Sequence, residues 1–262
     1  MITDYTRSLA ALAAHGVTLD ETATEALAVI KAAQAARSAT PMADLRAQYD
    51  SGDLTSDNAQ ALIIEAAVLA AGADRIRQAA AEMEGAASGT LRRWVGANAD
   101  RIVKELRPAF DKAAAHVAVA GRHFPPGATP AQLVAAGSDA VAAHEGLDAA
   151  LSTLDTLRTL RVEVADCAGN TEQDVTWWIT PTPTHPLDRE AQDNAERLFK
   201  GAGNAFHALA HAGFTLRMNT TAEAAKVAAG ARAITDAREA AEREAAAAEV
   251  RESWRGIIPI AG

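Results

Sequence analysis

LRRWVGANADRIVKELRPAFDKAAAHV, residues 91–117, holds the most regular apolar spacing in the chain. Leu91, Val95, Ala99, Ile102, Leu106, Phe110, Ala113 and Val117 follow one another by three or four positions. At about 3.6 residues per turn these side chains share one stripe of a helix, whereas a strand would need alternation with a period of two. Arg93, Arg101, Lys104, Arg107 and Lys112 fall opposite the stripe. The spacing predicts one helix over about 90–123, kinked at Pro108, which lacks a backbone donor and crowds the preceding turn. HFPPGATP, residues 123–130, should stop it, with Thr129 capping a new helix whose first residue is Pro130.

The same period recurs outward from this stretch. Thr18 to Glu21 reads T-x-x-E, a capping box for a helix through ALAVIKAAQAA. Residues 37–57 are polar and punctuated, with room for one short helix. Leu62, Ile63, Ala66, Leu69, Ile76, Ala80 and Met83 read as the core face of a helix over 58–83 that GAASG, residues 85–89, should break. Beyond Pro130 one helix should carry Leu133 through Leu157. Further helices are expected from Leu187 to about Ala212 and, behind the box Thr220–Glu223, from about 221 to 253. No repeat of fixed period runs through the chain.

Composition points the same way. About a quarter of the 262 residues are Ala, and aromatics make up only 4%. Alanine loses no side-chain entropy in a helix, so the expected class is all-α: long antiparallel helices forming a bundle. Four regions are expected: a small helical region over 1–52, a central long-helix bundle over 53–170, an extended Trp/Pro strap over 171–186, and a helical arm with an apolar tail over 187–262. Two readings stay open around the strap. In one, Val162 and Val164 pair with Val175, Trp177 and Ile179 in a small hairpin across CAGNTEQD; in the other, the preceding helix runs to Ala168 and stops at Gly169-Asn170.

A net charge of −9 and a pI near 5.3 argue against wholesale binding to nucleic acid or anionic membranes. The five cations opposite the stripe could meet an anionic partner, but no aromatic side chains interleave them, so a solvated face or one paired with the acidic last helix is favoured. The single cysteine, Cys167, excludes an intramolecular disulfide. No apolar run is long enough to span a bilayer and no leader is evident, so the expected location is the cytoplasm.

Motifs for chemistry are sparse. His207-Ala-Leu-Ala-His211 places two imidazoles one helical turn apart, with His185 as a third candidate zinc ligand. The metalloprotease motif needs Glu where Ala208 stands, and two boundary histidines are the plainer reading. No Glu lies three residues before any histidine, so the di-iron bundle pattern is missing. Phosphate-loop, dinucleotide and nucleophile-elbow motifs are absent, and no cofactor is expected. Cys167 reads as a small apolar filler. Trp94-Val95-Gly96 spells W-x-G, which in the small helical-hairpin secretion substrates of actinobacteria lies in a turn. Here it falls inside the helical stripe, which argues against that relationship.

The strongest expectation is therefore contact with a protein partner or with another copy of the chain. Trp177 and Trp178 are adjacent, so in an extended strap they face opposite sides. The last helix carries only a thin seam, Ala224 to Ala248, and either projects or joins a shallow coiled coil. Trp254, Ile257, Ile258 and Ile260 form an apolar end that docks on a partner or folds back. An acidic helical chain rich in Ala, Glu and Arg resembles scaffolding and other morphogenesis proteins of tailed phages infecting high-GC hosts. The resemblance is one of composition over the whole chain, and it implies a non-enzymatic, oligomeric assembly protein, virion-associated if phage-encoded. The alternative is a helical domain binding metal or a small molecule at His185, His207 and His211.

Overall fold

The computed structural model describes the backbone of residues 5–170, 175–182, 187–201 and 204–255, and the side chains of all of these but 5, 6 and 252–255. The described residues form an all-α fold with one two-stranded antiparallel sheet. They divide into two compact units. One comprises Met1–Asn98 with Asp166–Gly169, the other Ala99–Ala165 with Asn170–Gly262. The expected central bundle over 53–170 is thus shared between units.

In the first unit, α1 (Tyr5–Ala14) ends at Gly16, whose φ of 90° suits a residue without Cβ. The next helix, α2 (Glu21–Ser38), is capped by Asp20 rather than Thr18: its Oδ1 accepts from Ala23 N at 3.1 Å. The other carboxylate oxygen accepts from Trp94 Nε1 at 2.6 Å, so this one cap also ties α2 to the far end of α4 (Ala59–Ala97). Gln34 and Arg37 both donate to Glu84. Pairing 20 with 94 and 34–37 with 84 sets α2 antiparallel to α4. A short helix in the 37–57 segment, α3 (Pro41–Ser51), also lies on α4.

Gly85 and Gly89 do not break α4, which runs on to Ala97. A glycine costs a helix interior about 1 kcal/mol relative to Ala, less than the packing of Ala80, Ala87, Leu91 and Val95 recovers. The break falls at Asn98, whose Nδ2 donates to the Trp94 carbonyl at 2.9 Å. The stripe over 91–117 therefore belongs to two helices, α4 and α5 (Ala99–His123), one in each unit. Gly96 has a packing reason: a Cβ there would stand 2.5 Å from the Cys167 carbonyl oxygen.

In the second unit the stripe is inside. Ile102, Leu106, Phe110 and Val117 are fully buried on α5, which carries Pro108 within it. Thr129 and Gln132 form a reciprocal capping box at α6 (Pro130–Ala136). The helix expected beyond it is divided into α6, α7 (Ser138–His144) and α8 (Leu147–Cys167). Gly137 and Gly146 make the divisions at φ 100° and 76°, conformations other residues adopt at a cost. Leu147, Leu151, Leu154, Leu157 and Val164 keep helical spacing to the end of α8, so Val162 and Val164 are helical and Gly169 turns the chain.

A 3-10 turn (Val175–Trp177) and β1 (Ile179–Thr180) follow. The partner of β1 is β2 (Thr215–Leu216), with Ile179 opposite Leu216. The helix expected over 187–212 is two, α9 (Arg189–Gly201) and α10 (Ala205–His211). The chain then enters α11 (Thr221–Arg255) through the expected capping box: Thr220 N donates to Glu223 Oε2 at 2.8 Å and Glu223 N to Thr220 Oγ1 at 3.2 Å.

Candidate functional site

The two tryptophans of the strap are buried within the second unit, Trp177 at 5% and Trp178 at 1% exposure. They do diverge. Trp178 joins Phe110, Phe199 and Phe206, with ring centroids about 6 Å apart in edge-on and stacked contacts. Trp177 faces a cation instead: the Arg161 guanidinium carbon lies 4.1 Å from its ring centroid. The strap is zipped to residues 215–220. Arg217 N donates to Trp178 O and Asn219 N to Trp177 O, each at 2.8 Å. The Asn219 amide donates to the carbonyls of Thr176 and Ile179 at 2.7 and 2.8 Å. The surfaces these rings meet are the chain's own, so neither ring is presented to a partner.

Arg161 is completely buried and donates from Nε to the Asn219 carbonyl at 3.2 Å, while Nη2 has no hydrogen-bond partner. Burial pulls its pKa down to about 10, partly opposed by the charge of Asp100. Nearby, Arg107 contacts Glu223 and donates to Met218 O at 3.1 Å. Burial pushes the Glu223 carboxyl up, but hydrogen bonds from Thr220 and Arg107 and the arginine's charge outweigh it and hold it below the usual range.

The five cations expected to share a face are dispersed. Arg93 lies on α4 and donates to Thr90 Oγ1. On α5, Arg101 pairs with Glu105 at 3.0 Å and Arg107 with Glu223 of the last helix, while Lys104 and Lys112 are exposed. The histidines serve helix ends. His207 Nε2 meets the Phe124 carbonyl at 3.2 Å and His211 Nδ1 meets the Gly121 carbonyl at 2.8 Å, carbonyls left over at the C-terminus of α5. His207 is buried rather than at a boundary, and burial lowers its pKa. His185 lies outside the described residues, among which no group of three or more His, Cys, Asp and Glu is placed to hold a metal. The side chain of Trp254, and Ile257, Ile258 and Ile260 entire, also lie outside them.

On α4 several large side chains expected in the core are exposed. Ala66, Ala80 and Ala87 are buried, but Ile63, Leu69, Ile76 and Met83 are 50, 40, 37 and 54% exposed. Ile64 and Val68, one turn apart, are 56 and 66% exposed. The reason is the surface that α2 offers: Ala23, Ala26, Ile30 and Ala33. Small residues on both helices bring the backbones close, and the large residues of α4 are left beside and behind the contact. Met42 and Tyr49 of α3 are exposed as well, at 56 and 65%. A signal was present in the sequence. From Ala59 to Ala73 the only charged residue is Glu65, so this segment is apolar all round, a pattern that belongs to helices covered on every side.

No protein-family model matches the chain, and neither a curated protein nor a solved structure does. No described helix is long and apolar enough to cross a membrane.

Proposed function

We propose that the protein is a non-enzymatic assembly component that associates through helical surfaces, with another copy of itself as the first partner. The observation that carries this reading is the set of exposed apolar side chains on α4: Ile63, Ile64, Val68, Leu69, Ile76 and Met83 stand 37–66% exposed, Ile64 and Val68 on one side of the helix and Leu69, Ile76 and Met83 on another. Isolated surface apolar residues are ordinary, but several large ones on one helix point to an interaction surface, and covering them recovers about 25 cal/mol for each Å². The last helix adds a second surface: every residue from 236 to 251 is exposed. A helix of that kind is held by propensity and ion pairs, and it gains stability from a neighbour. An alanine-rich acidic chain with these features suits a scaffolding or morphogenesis role of the kind known in tailed phages.

The test is the mass of the purified protein in solution beside that of an Ile64→Glu/Val68→Glu variant. Both side chains already face solvent, so the variant is expected to keep the wild-type helical content and melting temperature of the dissociated chain while losing association. A variant that associates like the wild type would remove α4 from the interface.

A further inference from the structure

A cavity of about 420 Å³ opens in the second unit between the strap and the first turns of α11. Its volume lies within the range of about 300–1,000 Å³ usual for small-molecule sites. Along α11 the lining positions are Glu223, Lys226, Val227, Gly230, Ala231 and Ile234, spaced as one helix face over roughly 16 Å of axis. Leu187 and Pro181 close the opposite wall. The chemistry changes along the length: Val227, Ala231, Ile234 and Leu187 make one end apolar, while Arg217, Lys226 and Glu223 make the other end charged.

The charged end is unbalanced. Glu223 is shared by Arg107, in direct contact, and Arg217, at 3.6 Å. Lys226 has no ion-pair partner among the described residues. Among the described residues around this turn, the cations Arg107, Arg161, Arg217 and Lys226 stand against the carboxylates Asp100 and Glu223. The amide groups at the start of α11 add to the same sign.

Gly230 is a separate indication. It sits inside a long helix, where glycine is unfavourable, yet a Cβ built on it meets nothing within 4 Å. No neighbouring helix or strand demands the small residue. It is an exposed lining residue of the cavity, so a side chain added there enters open space at the cavity wall. The architecture is fixed from behind, because Asn219, another lining residue, holds the strap through the carbonyls of Thr176 and Ile179.

We infer that this cavity binds a small amphipathic carboxylate, its acid group between Arg217 and Lys226 and its alkyl body along Val227, Gly230, Ala231 and Ile234. Among the described residues that line the apolar end none is aromatic, and an alkyl chain matches their aliphatic wall. The site lies on the second unit and stands independently of association through α4.

The experiment is calorimetric titration of the full chain with submicellar decanoate, decanol and decylammonium. Decanoate should bind at one per chain, at least tenfold more tightly than the alcohol, and the ammonium ion should not bind. Arg217→Gln/Lys226→Gln should weaken decanoate at least tenfold and leave decanol unchanged. Gly230→Leu, which fills the cavity while improving helix propensity, should abolish decanoate binding with no fall in melting temperature. Ile234→Asp, at an exposed position of the apolar end, should do the same by placing a like charge in the groove. Absence of decanoate binding to the wild type, equal affinity for acid and alcohol, or unchanged binding in both folded cavity variants would each overturn the assignment.

Discussion

Arg161 shows how a single side chain is held at a cost. Its guanidinium is wholly buried, rests on Trp177 and donates to the Asn219 carbonyl, with no carboxylate in ion-pair contact among the described residues. Removing a buried cation relieves its desolvation, whereas removing its bulk leaves a void and an orphaned carbonyl. Arg161→Ala is therefore expected to lower stability by about 2–4 kcal/mol. Arg161→Met, which refills most of the space, should cost about 1 kcal/mol, and urea denaturation midpoints distinguish the two. His207 supplies a pH dependence. Its folded pKa is depressed by burial, so the unfolded chain takes up a proton first on acidification. The stability contributed by neutral His207 is fully present above the unfolded value of about 6.5 and declines as pH falls below it, down to the folded pKa. A His207→Gln variant should lose less melting temperature than the wild type between pH 7.5 and pH 5.5. The carboxylate Glu223, held low, contributes in a separate window, its share being present above the unfolded value of about 4.3 and lost below it.

Among the elements, glycines decide which helices run on and which touch. Gly85 lies within α4 with nothing near its absent Cβ, and Gly85→Ala should stabilise the protein by about 0.5–1 kcal/mol. Gly121 is different: a Cβ there would lie 2.8 Å from the backbone of Ala210 and His211, where α5 and α10 cross. Gly121→Ala should cost about 1–3 kcal/mol, because α10 must move and with it the bonds from His207 and His211. Thermal melts of the two variants should thus shift in opposite directions. These cases also show what could be read before the fold was seen. Periodicity identified the buried seam Leu91–Val117 and the cap at Thr129, since both depend on local spacing. It did not show that Asn98 divides the seam, that Asp20 displaces Thr18 as a cap, or that Gly137 and Gly146 divide one expected helix into three. Each of those depends on a tertiary partner or a backbone conformation that spacing alone does not report. The pairing of Ile179 with Leu216 joins residues far apart in sequence and two residues long, too short for an alternation signal.

At the scale of the molecule, the candidate surface was legible in composition and hidden by periodicity. Leu62, Leu69, Ile76 and Met83 recur at helical spacing and so read as a core face. The alanines of the same helix, Ala66, Ala80 and Ala87, are buried where α2 and α3 lie on it. The large side chains of α4 are then exposed among the described residues, and the proposed association would cover them. Sedimentation velocity measures it most directly. Association through α4 predicts a species heavier than the 27.2 kDa chain, converted to monomer by Ile64→Glu/Val68→Glu. A wild-type protein that sediments as a 27.2 kDa monomer at every concentration would contradict it.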